Sequence, residues 1–233
     1  MERIVILTGA GLSAESGLGT FRDTGGLWAQ YDLEDVATPQ GFARNPGLVH
    51  DFYNARRANC LQAAPNPAHA ALARLKAARP DIVTLVTQNI DDLLERAGAR
   101  DVIHMHGEIL RARCAACAHG WEAPQVMAPT DACPACGARA TRPDIVWFGE
   151  IPCHMGRIGT ALAQADLFVT IGTSGSVYPA AGFVKEAAAA GARTLELNLE
   201  PSETVSQFDT ARFGAASVLV PLWVEEVLSG ADR

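Results

Sequence analysis

The chain has 233 residues, of which 48% are hydrophobic and 19% charged, so it can bury a substantial core and is not expected to be disordered. Its formal net charge of -7 argues against a nucleic-acid-binding protein, which normally needs a basic face, but is compatible with basic protein partners. No apolar run approaches the ~20 residues of a membrane span, and the first run, Ile4–Leu7, is too short for a signal peptide. We therefore expect a monomeric, cytoplasmic protein that binds neither membranes nor nucleic acids.

Short apolar runs alternate with helical stretches along the chain. The predicted strands are Ile4–Leu7, Ile82–Val86, Val102–Met105, Leu167–Ile171, Thr194–Leu197 and Val218–Val220. The predicted helices are Ala68–Arg79, Asp91–Ala97 and Pro179–Ala190. Continuous apolar strands of this length are typical of a parallel sheet that is covered on both faces. The sequence therefore predicts an α/β fold, a Rossmann-type doubly wound parallel sheet.

Two segments interrupt this alternation. Residues 111–142 have no hydrophobic periodicity and contain four of the six cysteines, so we predict an inserted zinc-binding module there. Residues from about 21 to 61 show few clear strands and several aromatic side chains, and we predict a helical flap over the sheet edge. The remaining chain, residues 1–110 and 143–233, would form the nucleotide-binding domain that includes this flap.

A glycine-rich turn follows the first strand and contains Gly9, Gly11 and Gly17. A strand, a tight glycine turn and a helix start can hold a phosphate, because the backbone approaches closely and the helix N-terminus presents N–H groups. Such turns also join strands to helices for structural reasons alone. Gly17 comes too late for the usual G-x-G-x-x-G pattern, and no ribose-binding acidic residue follows a second strand. An ordinary nicotinamide dehydrogenase is therefore disfavoured.

Four cysteines form two Cys-x-x-Cys pairs that are separated by 15 residues: Cys114, Cys117, Cys133 and Cys136. This spacing matches a four-thiolate zinc site, in which the sulfurs fill the tetrahedron and leave no position for water. The site is therefore predicted to be structural. The alternative is a group of reduced thiols without a metal. The remaining cysteines, Cys60 and Cys153, are interpreted as ordinary small side chains.

Polar residues follow three of the predicted strands. Gln88, Asn89 and Asp91 come after the second strand, His106 after the third, and Gly172–Ser174 after the fourth. Ligands of open α/β sheets bind outside the carboxyl ends of the strands, so these groups could converge on the glycine turn. A histidine in that crevice is a candidate general base. The alternatives are a structural histidine and, for Asn89 and Asp91, helix capping.

The ordered set of motifs resembles the sirtuin family, and in detail its bacterial class with broader deacylase activity. The motifs are Gly9–Gly17 with Phe21 and Arg22, Thr87–Asp91, His106–Gly107, the four cysteines, Val146–Glu150, Gly172–Ser174, Val177–Ala180 and Asn198–Pro201. They run in the family's order and cover almost the whole chain. The resemblance implies an NAD-dependent protein-lysine deacylase that uses NAD as co-substrate and holds one structural zinc ion.

The resemblance also implies individual roles. His106 would be the catalytic base, and Asn89 and Asp91 would hold the nicotinamide ribose and carboxamide. NAD would be bound by Gly9, Ala10, Gly11, Ser13, Glu15, Phe21, Arg22, Trp28, Gln88, Asn89, Ile90, Asp91, Gly172, Thr173, Ser174, Asn198, Leu199, Glu200 and Ala216. The acyl-lysine of a protein or peptide would pair through its backbone as an added strand. Its predicted contacts are Ala37, Tyr53, Arg56, Val146, Phe148, Gly149, Glu150, Val177 and Tyr178.

The reaction that the resemblance implies begins when the acyl oxygen attacks the ribose anomeric carbon and nicotinamide leaves. His106 then draws a proton from a ribose hydroxyl, which attacks the acyl carbon, and water completes the release of lysine and O-acyl-ADP-ribose. The same site could instead transfer ADP-ribose to a protein. A non-catalytic NAD sensor is a further alternative, but the intact His106 and Asn89 argue against it.

Tyr53 and Arg56 bear on the identity of the acyl group. They lie three residues apart, which places them on one face of a helix, and they resemble the Tyr-x-x-Arg pair of sirtuins that act on succinyl- and malonyl-lysine. Arginine offers a rigid fork for a carboxylate and tyrosine adds a hydroxyl, while Ala37 leaves room for a longer acyl chain. Acetyl-lysine is expected to remain a substrate. In the alternative, Tyr53 packs in the core, Arg56 or Arg57 is solvated, and the protein is a plain deacetylase.

Overall fold

Residues 2–19 and 31–230 are described by a computed structural model of the chain. The strands, in chain order, are β1 (Ile4–Thr8), β2 (Val83–Thr87), β3 (Ile103–His104), β4 (Gly107–Cys114), β5 (Gly120–Glu122), β6 (Thr141–Ile145), β7 (Leu167–Ile171), β8 (Arg193–Asn198) and β9 (Thr210–Phe213). The α-helices are α1 (Ala10–Ala14), α2 (Leu33–Val36), α3 (Pro39–Arg44), α4 (Pro46–Gln62), α5 (Pro67–Ala78), α6 (Leu93–Arg96), α7 (Met155–Ala163), α8 (Phe183–Ala189) and α9 (Ala216–Ser229). Short 3-10 helices cover Ala180–Gly182 and Val205–Gln207.

A six-stranded sheet in the order β3-β2-β1-β7-β8-β9 forms the centre of the fold. Strand β1 pairs in parallel with both β2 and β7, so the chain winds outward from β1 in one direction and then returns to wind in the other. The predicted Rossmann-type, doubly wound parallel sheet is thus confirmed. In such a sheet the crevice for a ligand lies where the winding reverses, at the carboxyl ends of β1 and β7.

Apolar cores cover both faces of this sheet. Along β1, Ile4 and Ile6 face the core under α5 and α9, whereas Val5 and Leu7 face the core under α7 and α8. Successive side chains of a strand point to opposite faces, so an unbroken apolar run is what a sheet with two covered faces requires.

Helix α5 shows how local sequence signals define an element. Asn66 caps its N-terminus, Pro67 occupies the first turn, and the His69 ring accepts the Asn66 backbone N–H in return. On the core side, Leu72 and Leu75 are buried against the sheet. The sequence prediction of this helix differed by one residue at each end.

The prediction of a strand at Val218–Val220 is wrong, since these residues lie within α9. The buried members of α9 are Val220, Trp223, Val224 and Val227, at the i, i+3, i+4, i+7 spacing of a helix stripe. The sixth strand is instead β9, whose residues are mostly exposed at the sheet edge. An exposed edge strand has no apolar run to reveal it.

A second, antiparallel sheet in the order β5-β4-β6 is formed between residues 107 and 145. Cys114 ends β4, and the other three paired cysteines lie in the connections between the strands. Helices α2, α3 and α4 lie between residues 33 and 62, where a helical flap was predicted. Their core contains Val36, Phe52 and Tyr53 and continues into the second sheet through Ile109 and Ile145. Within the described ranges 2–19 and 31–230, no helix is long and apolar enough to cross a bilayer.

Candidate functional site

Two glycine loops meet at the carboxyl ends of β1 and β7. Gly9 donates its backbone N–H to Ile171 (2.9 Å), and Gly11 donates to Gly172 (2.8 Å). A Cβ at Gly11 would lie 2.8 Å from the Gly172 Cα, and one at Gly9 would lie 2.8 Å from the Gly172 carbonyl oxygen. Gly172 itself has a φ of +62°, which glycine adopts without strain. The glycines are thus required because the two loops pack backbone against backbone.

Side-chain amides join the ends of four neighbouring strands. Gln88 Nε2 donates to Thr173 Oγ1 (2.9 Å), and Asn198 Nδ2 donates to the Thr173 carbonyl (2.8 Å). Asn89 Nδ2 donates to the Gly9 carbonyl (3.1 Å). The crevice therefore combines close-packed glycine backbone with amide, hydroxyl and carbonyl groups, a set that fits the phosphates and ribose hydroxyls of a dinucleotide.

The outer part of the crevice is more exposed. Glu15, at the end of α1, accepts the Ser217 backbone N–H (2.9 Å) and thereby joins α1 to the start of α9 at Ala216. Leu199 and Glu200 are exposed directly after β8. Three further residues with predicted NAD contacts, Ala10, Ile90 and Ser174, are half-buried. Phe21, Arg22 and Trp28 lie outside the described residues.

Ser13 is the centre of a buried hydrogen-bond network beside Asp91. The Ser13 hydroxyl donates to Asp91 Oδ2 (3.0 Å) and accepts from Asn89 Nδ2 (3.1 Å). His69 Nδ1 accepts the Asn66 N–H, so its Nε2 carries the proton that faces Ser13 Oγ (3.3 Å). Burial lowers the pKa of His69 to about 4, so this ring is neutral. The sequence did not single out His69, because its only local signal is a helix-capping position.

Desolvation and neighbouring groups act in opposite directions on Asp91. Burial raises the pKa of its carboxyl group, whereas the Leu93 backbone N–H, the Ser13 hydroxyl and the charge of His104 lower it, and the net shift is upward. Asp91 Oδ1 also accepts the N–H of Leu93, the first residue of α6 (3.1 Å), although the N-cap of this helix is Asp92, whose side chain forms no capping bond.

The tautomer of His106 follows from its surroundings. Its Nδ1 lies 3.1 Å from the Gln88 carbonyl oxygen, which can only accept, so Nδ1 carries the proton and Nε2 keeps its lone pair. Burial lowers the pKa of His106, although the bond to Gln88 acts the other way. The ring is therefore neutral at pH 7, and Nε2 is able to accept a proton, as a general base must.

The pKa of His104, two residues earlier, is shifted in the opposite direction. Its ring nitrogens face the Asn89 carbonyl (3.2 Å) and the Glu95 carboxylate (2.9 Å), both acceptors. Burial opposes the charge, but the hydrogen bond to Glu95 and its negative charge outweigh it and raise the pKa of His104. The His104 ring thus joins the Asn89 backbone to Glu95, a role that the sequence analysis missed.

The segment after β6 runs alongside His106. Val146 donates its N–H to the His106 carbonyl (2.9 Å), and Phe148 donates to the Ala37 carbonyl (2.9 Å). Phe148 and Tyr178 expose 47% and 75% of their surface, so apolar side chains are open to solvent on this side. Gly149 has a φ of +89°, and Val177 is half-buried ahead of the Ala180–Gly182 turn. Backbone and apolar groups of this kind suit an extended peptide.

Tyr53 and Trp147 form a buried pair beside this segment. The Trp147 indole N–H donates to the Tyr53 hydroxyl at 3.0 Å. Arg142 stacks over the Trp147 ring, with its guanidinium carbon 3.3 Å from the ring centroid, and forms a bidentate ion pair with Glu150 (2.7 and 2.9 Å). The carboxylate of Glu150, a predicted substrate contact, is thus engaged by Arg142 and also by Arg113 (3.1 Å).

The two arginines of α4 have different environments. Arg56 is half-buried, with its guanidinium carbon 5.8 Å from the centroid of the Tyr53 ring. Arg57 is buried and donates to the Ile109 carbonyl (2.9 Å) and to Asn54 Oδ1 (2.9 Å). Asn54 in turn exchanges hydrogen bonds with the Met127 backbone. Of the alternative predicted from the sequence, Tyr53 does pack in the core and Arg56 is half-buried, but Arg57 is not solvated, because it joins α4 to the cysteine-bearing insertion.

The four paired cysteines converge on one point. Their sulfur atoms all lie within 4.8 Å of one another, with Cys114–Cys136 at 3.8 Å and Cys117–Cys133 at 3.7 Å. A tetrahedral zinc ion with Zn–S distances of ~2.3 Å holds neighbouring sulfurs ~3.8 Å apart, so the cluster fits zinc. Four thiolates leave no open coordination position, as a structural site requires.

The fold, the crevice at the ends of β1 and β7 and the cysteine cluster together define a Rossmann-type α/β protein with a site suited to zinc. The model of the Sir2 family matches residues 9–179. The NAD-dependent protein deacylase of Caulobacter vibrioides is 58% identical over 231 residues, covering 97% of each chain. The chain belongs to the Sir2 family, as the resemblance to sirtuins predicted.

Solved structures agree with this assignment. A Sir2 homologue in complex with NAD superposes with a TM-score of 0.89 at 38% identity, covering 97% of this chain and 90% of that one. A Sir2 protein bound to an acetylated peptide superposes with a TM-score of 0.81 at 26% identity, covering 99% of this chain and 94% of that one.

Proposed function

We propose that this chain is an NAD-dependent protein-lysine deacylase. The observation that carries the proposal is the state of His106, which is neutral, with Nδ1–H held by Gln88 and Nε2 available as a base beside the glycine crevice. Membership of the Sir2 family supports the same activity, since a relative 58% identical is named an NAD-dependent protein deacylase. The partners would be proteins or peptides with acylated lysines, entering beside Val146, Phe148, Val177 and Tyr178.

NAD would occupy the crevice from Glu15 and Ala216 at its outer end to Asn89 and Asp91 at its inner end. Close packing of the glycine loops lets the backbone approach the phosphates, and the amide of Asn198 lies where a ribose could bind. The remaining contacts would come from the other NAD-binding residues predicted from the sequence. The NAD complex of a structurally similar Sir2 homologue supports this assignment.

When bound, NAD supplies a ribose carbon that becomes electrophilic as nicotinamide leaves. Asn89 and Asp91 would hold the nicotinamide ribose and carboxamide, and the Ser13–His69 network would keep both side chains in place. Nε2 of His106 would take the proton of the ribose hydroxyl that attacks the acyl carbon. Exclusion of bulk water matters, because water at the ribose carbon would only hydrolyse NAD. The products would be nicotinamide, free lysine and O-acyl-ADP-ribose.

Succinyl and malonyl groups are proposed as substrates alongside acetyl. Tyr53 and Arg56 lie together on α4; burial lowers the pKa of Arg56, while Tyr53 and the negative charge of Asp91, next to the proposed nicotinamide position, act to raise it. A guanidinium and a phenol at this point offer charge-assisted hydrogen bonds to an acyl carboxylate. Ala37, buried in the same core, occupies little volume and leaves room for the longer chain.

We propose the division of the chain into a nucleotide-binding domain (1–110 and 143–233) and a zinc module (111–142) because a second sheet lies in this part of the chain, although its strands β4 and β6 extend to residues 107 and 145. The monomeric state, the cytoplasmic location and the lack of nucleic-acid or membrane binding remain predictions from the sequence.

A mass-spectrometric assay with NAD and matched acetyl-, succinyl- and malonyl-lysine peptides tests this proposal. We expect the parent protein to remove all three groups and His106→Ala to lose about 10²- to 10⁴-fold in rate on each. The rate of Arg56→Met should fall about 10- to 100-fold on the succinyl and malonyl peptides alone, because a hydrogen bond to a charged group contributes about that much. Arg74→Met, on the exposed Arg74–Glu225 pair, is the matched control and should behave like the parent.

Three other results would argue for a different protein. Activity on acetyl-lysine alone would leave a plain deacetylase. Consumption of NAD without deacylation, but with ADP-ribose attached to protein, would indicate an ADP-ribosyltransferase. Full activity of His106→Ala would overturn the assignment of the base.

A further inference from the structure

We propose that Trp147 is a positioning residue for acyl specificity, because its indole N–H directs the Tyr53 hydroxyl to act as a hydrogen-bond donor toward an acyl carboxylate. The inference rests on the proposed acidic-acyl function. It adds a residue that touches neither NAD nor the acyl group, and that would act through Tyr53.

The hydrogen bond between the two side chains has a fixed direction. An indole N–H can only donate, so at 3.0 Å the Tyr53 oxygen must be the acceptor. Trp147 and Tyr53 are 2% and 1% exposed, so water does not compete for this bond. One lone pair of the Tyr53 oxygen is thereby occupied from the side of the second sheet.

Arg56 approaches the same phenol and also lacks any acceptor. Its guanidinium carbon lies 5.8 Å from the Tyr53 ring centroid, and a guanidinium has five N–H donors and no lone pair to offer. Neither Trp147 nor Arg56 can therefore accept the Tyr53 proton. Burial raises the pKa of Tyr53, although Arg56 and Trp147 act against this, so the phenol keeps that proton. A carboxylate that arrives beside Arg56 could accept from both groups.

Trp147 is held so that its N–H has one orientation. Arg142 covers one side of the indole at 3.3 Å, and the Phe42 ring lies 5.1 Å away, centroid to centroid. Glu150 binds Arg142 in a bidentate pair and also accepts the Trp147 backbone N–H at 2.9 Å. This arrangement also explains why the Glu150 carboxylate is turned toward the second sheet.

The inference predicts an effect that depends on the acyl group. An acetyl group has no carboxylate, so the direction of the Tyr53 proton is irrelevant to it. A succinyl or malonyl group needs a donor at that oxygen. A Trp147 that only supported the fold would affect all acyl groups equally.

Trp147→Phe keeps an aromatic ring under Arg142 and removes the N–H. We expect kcat/KM for the succinyl peptide to fall about fivefold, mainly through KM, since a hydrogen bond contributes about 1 kcal/mol. For the acetyl peptide, kcat/KM should stay within about twofold of the parent by the same reasoning. In a Tyr53→Phe background, Trp147→Phe should cause no further loss on the succinyl peptide, because the hydroxyl that it directs is gone.

Two further variants separate this effect from a loss of folding. Trp223→Phe makes the same change in α9, where the indole nitrogen has no hydrogen-bond partner in the described part of the chain, and should leave the succinyl-to-acetyl ratio unchanged. Incorporation of β-(3-benzothienyl)alanine at position 147 replaces the N–H by sulfur at nearly constant shape. It should reproduce the selective loss even if Trp147→Phe folds poorly.

The outcomes distinguish the inference from the proposed function. A parent that removes succinyl groups, loses this activity in Arg56→Met, but keeps it in both position-147 variants would overturn the role of Trp147 alone. An equal loss on acetyl and succinyl peptides, or additive losses in the double variant, would overturn it as well. A parent without activity on acidic acyl groups would overturn the proposed substrate class and this inference with it.

Discussion

Replacement of Gly11 by alanine tests whether the glycine loops must pack backbone against backbone. The added Cβ would lie 2.8 Å from the Gly172 Cα and 2.9 Å from the Gly172 carbonyl oxygen, both of them backbone atoms. Ordinary contact between such atoms is ~3.5–4.0 Å, so the two loops would have to separate by about 1 Å. Overpacking of this kind costs about 1–3 kcal/mol. In a chain of this length each kcal/mol lowers the Tm by about 2–4 °C, so we expect a Tm lower by about 2–12 °C.

The same separation should weaken NAD binding, because both loops border the proposed phosphate position. We expect Kd for NAD, measured by calorimetric titration, to rise at least about tenfold, equivalent to ~1.4 kcal/mol. Gly159→Ala in α7 is the matched control, since no atom lies within 4 Å of its added Cβ. It should gain up to about 1 kcal/mol of helix propensity and bind NAD as the parent does. If Gly11→Ala matched the parent in both Tm and Kd, the packing argument would be refuted.

Three further predictions concern zinc, pH and the partly buried ion pair between Arg142 and Glu150. The parent should contain one zinc ion per chain by metal analysis, and Cys133→Ser should lose it and unfold at a lower temperature, whereas equal zinc content would exclude the four-thiolate site. Burial sets the pKa of His69 at about 4, below its ordinary 6.5, so the stability that this ring contributes is present above pH 6.5 and is lost as the pH falls toward 4. That loss is up to about 3 kcal/mol. Urea unfolding across this range should show less dependence on pH in His69→Gln, and an unchanged dependence would contradict the shift. Among the described residues, Arg142→Met leaves the Glu150 carboxylate with Arg113 and the Trp147 N–H only and should cost about 1–3 kcal/mol, visible by calorimetry as a Tm lower by about 2–12 °C. A Tm unchanged within ~1 °C would mean that the pair contributes nothing.

Periodicity and spacing were enough to predict the sheet and the metal cluster. The five correctly predicted strands are apolar because both faces of the sheet are covered, as the alternation of Ile4 and Val5 between two cores illustrates. The Cys-x-x-Cys pairs encode their own geometry, since each pair forms one tight turn that presents two sulfurs. By contrast, β9 is exposed and has no apolar pattern. Val220, which was predicted to lie in a strand, belongs to the buried face of helix α9.

The environments of the site residues could not be predicted from the sequence. His104 and His106 are separated by one residue, yet the pKa of His104, which faces the Glu95 carboxylate, is raised and that of His106, which faces only a carbonyl, is lowered. Tyr53 and Trp147 are 94 residues apart in sequence and meet through tertiary packing alone. Protonation states and long-range pairs of this kind depend on three-dimensional neighbours, which no local pattern encodes.

The central claim is tested most directly by the stoichiometry of products from one acetyl-lysine peptide with NAD and purified protein. We expect nicotinamide, deacylated peptide and O-acetyl-ADP-ribose to appear in equal amounts, and all three to be lost together in His106→Ala. Nicotinamide released without deacylated peptide, or peptide deacylated without consumption of NAD, would contradict the account.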